Sequence, residues 1–437
     1  MLNRAIGDSF VADAYRAVRQ SARPGTDPTI ERADTLVLDL DSRAGLLIAR
    51  VLGRAGHRVA VGSCSVTASG LGTRHAAIQF VLPDADRDMD AYADAVVAAA
   101  HQCEARCVLA ATDASLVALH RRRDQLAPTI AGIPPFEATA ISLDKLRTLA
   151  VAASCGVPVP RGSVAPSLAD LPAAVAEVGL PAIMKPSAGW QPDVQGGGFH
   201  AAPVLLRTGE DVVAAAKLGW TGAVIVQEYA TGQREAHMLL RTGGDVIARA
   251  AFRALRTWPP LGGVSVLRES IVPPADSLAY AESLIAAVGI EGYCEVEFRR
   301  SADGRPLLME INGRFSQALE VVQRAGVDLI SMQRAVALGE PVAPAPPARP
   351  GVRVAWLAGD LRLAASSLGV GPAPHPPVAA SLRALGSDLS GRARLDGFDR
   401  CDLRPTLRAI AFTLREALRW PARTRGATGA DTACESP

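Results

Sequence analysis

The sequence is almost without lysine. Of 46 lysines and arginines, only Lys145, Lys185 and Lys217 are lysines, so arginine stands almost wherever a generic positive charge will do. A lysine kept against that habit points to a chemical need, because a compact ammonium enters a phosphate site as a point charge while the guanidinium is a flat fork. Also missing is any apolar run near the roughly 20 residues of a membrane span. The opening Met-Leu-Asn-Arg-Ala-Ile-Gly-Asp puts an acid where a signal peptide needs an apolar core, so export is not expected and the cytoplasm is the default. A large charge imbalance is absent too: the formal net charge is +2 with the signs interspersed, which argues against a nucleic-acid partner. The seven cysteines lack metal-finger spacing and read as free thiols. Histidines 57, 75, 101, 120, 200, 237 and 375 are scattered, and no Ser/His/Asp or Cys/His set emerges. The turn Asp39–Gly45 lacks the glycine spacing of a dinucleotide fingerprint, which sets nicotinamide chemistry aside.

What is present is two patterns in succession. Strands at 35–40, 58–62, 78–82 and 106–111 alternate with helices at 43–54, 89–102 and 114–125, which predicts a parallel, Rossmann-like α/β domain over 33–140. A helix over 143–154, with Ser142 as its N-cap candidate, ends at Gly156 before Val-Pro-Val-Pro and reads as a domain junction. Strands then dominate from 182 to 312, an α+β region placed within a domain of 141–340 whose two parts divide near 226 and 227. Residues 1–32 form an N-terminal segment without assigned chemistry, and 341–350 is a stiff proline-rich linker. The remainder, 351–437, is read as a C-terminal unit with a basic helix near 404–420 and a disordered tail. Leu407, Ile410, Ala411, Leu414 and Leu418 recur on that helix at helical spacing. The stripe is expected to dock on the protein's own body rather than on an anionic membrane.

The strongest local signal is a hairpin. Glu295-Val-Glu-Phe-Arg-Arg300 and Pro306-Leu-Leu-Met-Glu-Ile-Asn312 flank an Asp303-Gly304 pair, a strong hairpin turn sequence. With those two residues as the turn, Glu297 opposes Glu310 and Glu295 opposes Asn312, all four on one face. Two carboxylates directly opposite repel unless something neutralises them. A hard cation would do so, and carboxylate plus amide oxygens suit Mg²⁺ bound together with phosphates. A solvated face pairing its glutamates with Arg299 or Arg314 is the plainer alternative, which the apolar Val296, Phe298, Leu308, Met309 and Ile311 oppose.

Glu297, Glu310 and Asn312, followed by Arg314 in Glu-Ile-Asn-Gly-Arg, resemble the metal segment of ATP-grasp enzymes, as in the ATP-grasp domains of biotin carboxylase, carbamoyl-phosphate synthase and D-alanine–D-alanine ligase. The resemblance covers about 33–345 and is specific over 223–316. It implies a pre-ATP-grasp domain followed by an ATP-grasp domain, with ATP and two Mg²⁺ ions, Mn²⁺ being an alternative, held by Glu297, Glu310 and Asn312. Arg314 would meet the acyl-phosphate or the attacked carboxylate. Asp144-Lys145 and Ile183-Met-Lys-Pro186 resemble the family's two nucleotide lysines. Gln227-Glu-Tyr-Ala-Thr-Gly-Gln-Arg-Glu235 resembles its hinge, with Glu228, Tyr229 and Ala230 at adenine and Glu235 at the ribose. Gly196, Gly197 and Gly198 could be the loop that closes over phosphates, although Gly189-Trp-Gln-Pro-Asp-Val-Gln195 departs from the family pattern and the usual loop serine is missing.

The implied chemistry needs no nucleophilic side chain. Phosphoryl transfer from ATP turns a carboxylate into an acyl-phosphate, which an amine or thiol attacks, so the expected partners are small-molecule carboxylate and amine or thiol substrates. Arg268 is the candidate for a substrate carboxylate, against the reading of an ordinary exposed strand arginine. An ATP-grasp kinase, or a nucleotide-binding protein without turnover, are the alternatives to a ligase. A homo-oligomer is left open.

Overall fold

Buried β-branched and leucine-rich runs set up the first sheet. The computed structural model describes residues 32–192, 198–260, 263–366 and 377–411. Strands β1 (Thr35–Val37), β2 (Val59–Ser63), β3 (Ile78–Val81), β4 (Cys107–Leu109) and β5 (Ile130–Ala131) form a parallel sheet in the order β3-β2-β1-β4-β5. Helices α1 (Arg43–Arg54), α2 (Met89–Gln102) and α3 (Asp113–Arg121) supply crossovers. Their caps are local: Ser42, Asp88 and Thr112 each accept a backbone N–H of their helix's first turn. The β1–α1 turn needs Gly45, because a Cβ there would lie 2.1 Å from the carbonyl oxygen of Asp39. The Asp39 carboxylate accepts from Ala111 N at 2.7 Å and Ser115 Oγ at 2.6 Å, tying the end of β1 to the start of α3.

Two short helices, α4 (Phe136–Leu143) and α5 (Lys145–Ser154), lead out of this sheet. The sequence suggested Ser142 as the cap of the second. Asp144 caps it instead, accepting from Leu146 N and Arg147 N, while the Ser142 hydroxyl donates to Thr139 O. Strand β6 (Gly162–Ala165), helix α6 (Leu171–Val178), strands β7 (Ala182–Pro186), β8 (Trp190–Pro192), β9 (Gly198–His200) and β10 (Val204–Leu206), helix α7 (Gly209–Ala215) and strand β11 (Val224–Glu228) follow. Four of these strands form an antiparallel sheet, β10-β7-β11-β6, and β8 pairs with β9 as a separate hairpin.

The largest sheet is built from β12 (Arg234–Thr242), β13 (Asp245–Trp258), β14 (Val264–Ile271), β15 (Gly292–Arg300) and β16 (Pro306–Asn312), with α8 (Ala275–Val288) crossing between β14 and β15. After α9 (Leu319–Arg324) and α10 (Leu329–Ala337), β17 (Arg353–Ala355) pairs with β14, and β18 (Arg394–Leu395) pairs with β17. Helices α11 (Leu357–Ser366) and α12 (Val378–Ser387) lie between those last two strands in sequence. One face of the large sheet, with Ala236, Met238, Leu240, Phe252 and Tyr293, shares a core with Val37 and Leu109 of the first sheet and Ile48 and Leu52 of α1. The other, with Leu239, Val296, Phe298, Leu308 and Ile311, buries against Leu284, Ile285 and Val288 of α8.

The β15–β16 turn differs in detail from the expected one. Ser301 N donates to Arg305 O at 2.9 Å and Gly304 N to Ser301 O at 3.0 Å, with Gly304 at φ 85, so the loop holds three residues, Ala302 to Gly304. A bulge between Glu297 and Phe298 takes up the resulting shift, so Glu297 still opposes Glu310 and Glu295 still opposes Asn312. Its imprint is visible in burial: Leu308 and Ile311, three residues apart, both enter the α8 core.

Near the end of the described chain, residues 403–411 are helical. Leu407 is 62% exposed there, so the expected apolar stripe is not buried over this stretch; Leu414 and Leu418 lie outside the described residues. The helix start is held by polar contacts instead, with Asp402 accepting from Arg50 Nε at 2.9 Å and Thr73 Oγ1 at 2.7 Å. The segment 6–19 and the residues after 411 also lie outside the described part. Among the described residues no helix is long and apolar enough to cross a membrane.

Candidate functional site

Strand alternation delivers the carboxylates. In β15 and β16, residues two apart share a face, so Glu295, Glu297, Glu310 and Asn312 point to one side of the sheet. Glu295 is 2% exposed and Glu297 7%. The Asn312 amide reaches Glu310 Oε1 at 3.2 Å and Glu295 Oε1 at 3.5 Å. Glu295 Oε2 is buried with no hydrogen-bond partner among the described residues. An orphaned carboxylate oxygen beside two more carboxylates is the surrounding a hard cation satisfies. Among the described residues no three His, Cys, Asp or Glu side chains already converge as a closed cage.

The two lysines come from different elements to the same place. Lys185 lies on β7, whose alternate residues Ala182 and Met184 bury in the core under α6, turning Lys185 the other way. Lys145 opens α5, and its backbone N–H donates to Ser187 O at 2.7 Å, just past the end of β7. Burial pulls the Lys185 ammonium down to about 8, with Glu310 and Glu297 holding it up and Lys145 pressing it down. Burial alone would raise Glu310, yet Lys145, the Asn312 amide, Lys185 and Arg234 together hold it below the usual carboxylate range. Burial pushes Glu297 up to about 8; Arg234 opposes the rise and Glu310 and Glu295 add to it. Lys217, exposed just beyond α7, lines a surface depression of about 720 Å³ with Thr208, Gly209, Glu210, Val213 and Ala214, which shares no residue with this cluster.

Arg314 follows the hairpin and donates through Nε to Asp113 Oδ1 at 2.5 Å, joining the large sheet to the first turn of α3. Where β11 ends and the chain turns toward β12, Glu228 N and Tyr229 N donate to Arg161 O and Pro181 O. The Glu228 carboxylate accepts from Arg161 N at 3.0 Å. The Ala230 carbonyl accepts from Arg299, whose guanidinium lies 5.2 Å from the Tyr229 ring centroid. Gly198 N donates to Asp86 O at 2.8 Å, and Trp190 Nε1 to Asp86 Oδ1 at 3.0 Å, so the β8–β9 hairpin leans on the first sheet. Gly196 and Gly197 lie outside the described residues.

Two sequence-based assignments do not fit the geometry. Glu235 opposes Phe298, which puts it on the α8 face, away from Glu297 and Glu310. There it is paired with Arg300 at 2.7 Å and accepts from Ser277 Oγ at 2.6 Å. Its neighbour Arg234 takes the site face and binds Glu297 Oε1 through Nη2 at 2.9 Å. Sequence reading missed Arg234; the signal was the alternation of β12, usable only once the register with β15 is known. Arg268 is fully buried and ion-paired with Asp396, so no free guanidinium remains there for a substrate.

Residues 250–359 match the family model described as ATP-grasp in the biosynthetic pathway with Ter operon. The D-alanine–D-alanine ligase of Aromatoleum aromaticum is 26% identical over 195 residues, which are 40% of this chain and 57% of that ligase, so the chain spans little more than half of that relative. In structure it is similar to the ADP complex of purK, an N5-carboxyaminoimidazole ribonucleotide synthetase (TM-score 0.59, 17% identity, 82% of this chain and 97% of that one). It is also similar to the L-amino acid ligase from Bacillus licheniformis (TM-score 0.56, 16% identity, 74% of this chain and 81% of that one). Together these likenesses support an ATP-grasp fold, with the family match itself confined to residues 250–359.

Proposed function

We propose that the chain is an ATP-dependent ligase that activates a carboxylate as an acyl-phosphate for attack by an amine or thiol, releasing ADP and phosphate. The carrying observation is that Lys145 and Lys185, two of only three lysines, lie within Coulombic reach of Glu310 on the carboxylate face. The amino-acid ligases among its relatives support the amine acceptor. In this reading residues 33–140 are the pre-ATP-grasp domain, 141–340 the ATP-grasp domain and 351–437 a C-terminal unit.

The two lysines bind the phosphates and offset charge as the γ-phosphoryl group leaves, a job of positioning and electrostatics. Glu297, Glu310 and Asn312 would hold one or two Mg²⁺ ions; the Asn312 amide, turned about its last bond, offers its oxygen where the nitrogen now lies. Bound there, magnesium would supply neutralisation of phosphate charge. Glu228, Tyr229 and Ala230 border the adenine. Arg314, oriented by Asp113, meets the carboxylate oxygen that is phosphorylated.

A panel of carboxylates paired with amines or thiols, screened for ADP release, tests this reading. A ligase releases ADP and phosphate when both substrates are present; transfer of phosphate to a stable product, or no turnover across the panel, would count against it. Glu310→Gln should reduce ADP release by about 100-fold or more while melting like the parent, because it removes charge from the site and leaves core volume intact. Near-normal turnover in that variant removes the metal assignment.

A further inference from the structure

Arg234 and Glu297 sit diagonally across β12 and β15: Ala236 opposes Glu297, and Arg234 is two residues away on the same face. The pair is enclosed, with side chains 18% and 10% exposed, and Nη2 lies 2.9 Å from Glu297 Oε1. Nη1 of the same guanidinium donates to the Gly263 carbonyl at the head of β14. Nε is buried and has no partner among the described residues. One side chain thus spans a carboxylate of the site and the head of β14, two strands away from its own, with a donor to spare.

A divalent cation on Glu297 would seek the oxygen that Arg234 now occupies. Two positive groups on one carboxylate oxygen in a poorly solvated site repel strongly, so they exchange rather than share. An arginine leaving a buried carboxylate needs another anion, because an unpaired buried charge is costly. The anion that arrives with the metal is the nucleotide's phosphate chain, and a guanidinium pairs with phosphate as readily as with carboxylate.

We propose that Arg234 is an exchangeable counter-ion, holding Glu297 against free divalent cations and passing to the nucleotide phosphates when the metal comes with them. The site then takes up metal as a metal–nucleotide complex and rejects the ion alone. Arg234 is in this sense a positioning residue for Glu297. The inference rests on the reading of Glu297 as a metal ligand.

Binding of Mn²⁺ to the full-length protein, followed by electron paramagnetic resonance without nucleotide and then with ADP, tests it. Arg234→Met should bind Mn²⁺ alone at least about tenfold more tightly than the parent, and the gap should narrow or reverse with ADP present. Damage to the fold would weaken metal binding, so a gain in affinity is a signature that a merely structural role does not produce. Should Arg234→Met not fold, Arg234→Gln, which keeps a hydrogen bond to Glu297 and lacks the charge, carries the same expectation. Equal Mn²⁺ affinity in the folded variant and the parent overturns the proposal. Glu297→Gln separates the two levels. If it binds Mn²⁺ with ADP as well as the parent does, the metal-ligand reading fails; if it is impaired while the Arg234 variant is unchanged, only the exchange fails.

Discussion

Arg314 Nε and Asp113 Oδ1 lie 2.5 Å apart, and that contact joins the end of the carboxylate hairpin to the first turn of α3, 201 residues earlier in the chain. If Arg314 meets the activated carboxylate, Asp113 sets its direction. Asp113→Asn should lower kcat/KM for the carboxylate by about 10- to 100-fold, the range of a lost charged hydrogen bond, and leave ATP affinity near that of the parent. Steady-state ADP release together with nucleotide calorimetry reads both; a fall confined to ATP affinity would contradict it.

The scarcity of lysine makes a second expectation sharp. Lys145→Ala and Lys185→Ala should each weaken ATP binding by about 10- to 100-fold, since each removes a charged contact to phosphate. Lys217→Ala should bind as the parent does. Calorimetry ranking all three variants together would mean that lysine placement in this chain carries no chemical information.

Asp396 makes a stability prediction. Its carboxylate is 2% exposed between Arg268, fully buried, and Arg43, 14% exposed. Asp396→Asn leaves two enclosed guanidinium groups short of a negative charge, a change that costs about 3–5 kcal/mol in comparable buried pairs. Thermal melting should fall by about 3–6 °C, because unfolding entropy grows with chain length and leaves roughly 1 °C per kcal/mol at this size. Arg32→Ala breaks an ion pair with Glu104 whose partners are 74% and 41% exposed, and its melting temperature should stay within about 1–2 °C of the parent, as exposed pairs usually do.

Glu320 adds a pH dependence. Burial and the adjacent Asp396 carboxylate raise its carboxyl to about 7, from an ordinary value of 4.5. The folded state therefore keeps this proton where the unfolded chain has lost it, and the group's contribution to stability is present below about pH 4.5 and lost as pH rises through 7. Glu320→Gln cannot ionise. Its stability relative to the parent should improve from pH 4 to 7 and level off above 8, measured by urea unfolding at each pH. The opposite slope would show that Arg324, 2.7 Å away through Nε, keeps the carboxylate charged.

Much of this was legible in one dimension. Helix 43–54 and the parallel alternation could be read because their apolar periods are regular and their caps, Ser42 and Asp88, are adjacent in sequence. The pairing of Glu297 with Glu310 was readable for a subtler reason: a loop one residue longer than the Asp-Gly turn is compensated by a bulge in β16. Short elements such as α6 and β6, eight and four residues long, have too few turns or alternations to announce themselves. Which of Arg234 and Glu235 faces the site depends on register with a strand 60 residues away. Arg268 looked available because its partner, Asp396, is 128 residues downstream.

Asp402 grips Arg50, and Asp396 grips Arg43, so the tail of the described chain is fastened to the helix that follows its first strand. Arg256 adds another hold, pairing with Asp360 on one side of the stretch 367–376 and Asp388 on the other. Residues from Pro377 to the last described helix are thus held by charge as well as by the backbone, through Arg43, Arg50 and Arg256. Salt that weakens those pairs should loosen this part of the chain from the rest before it disturbs the apolar cores.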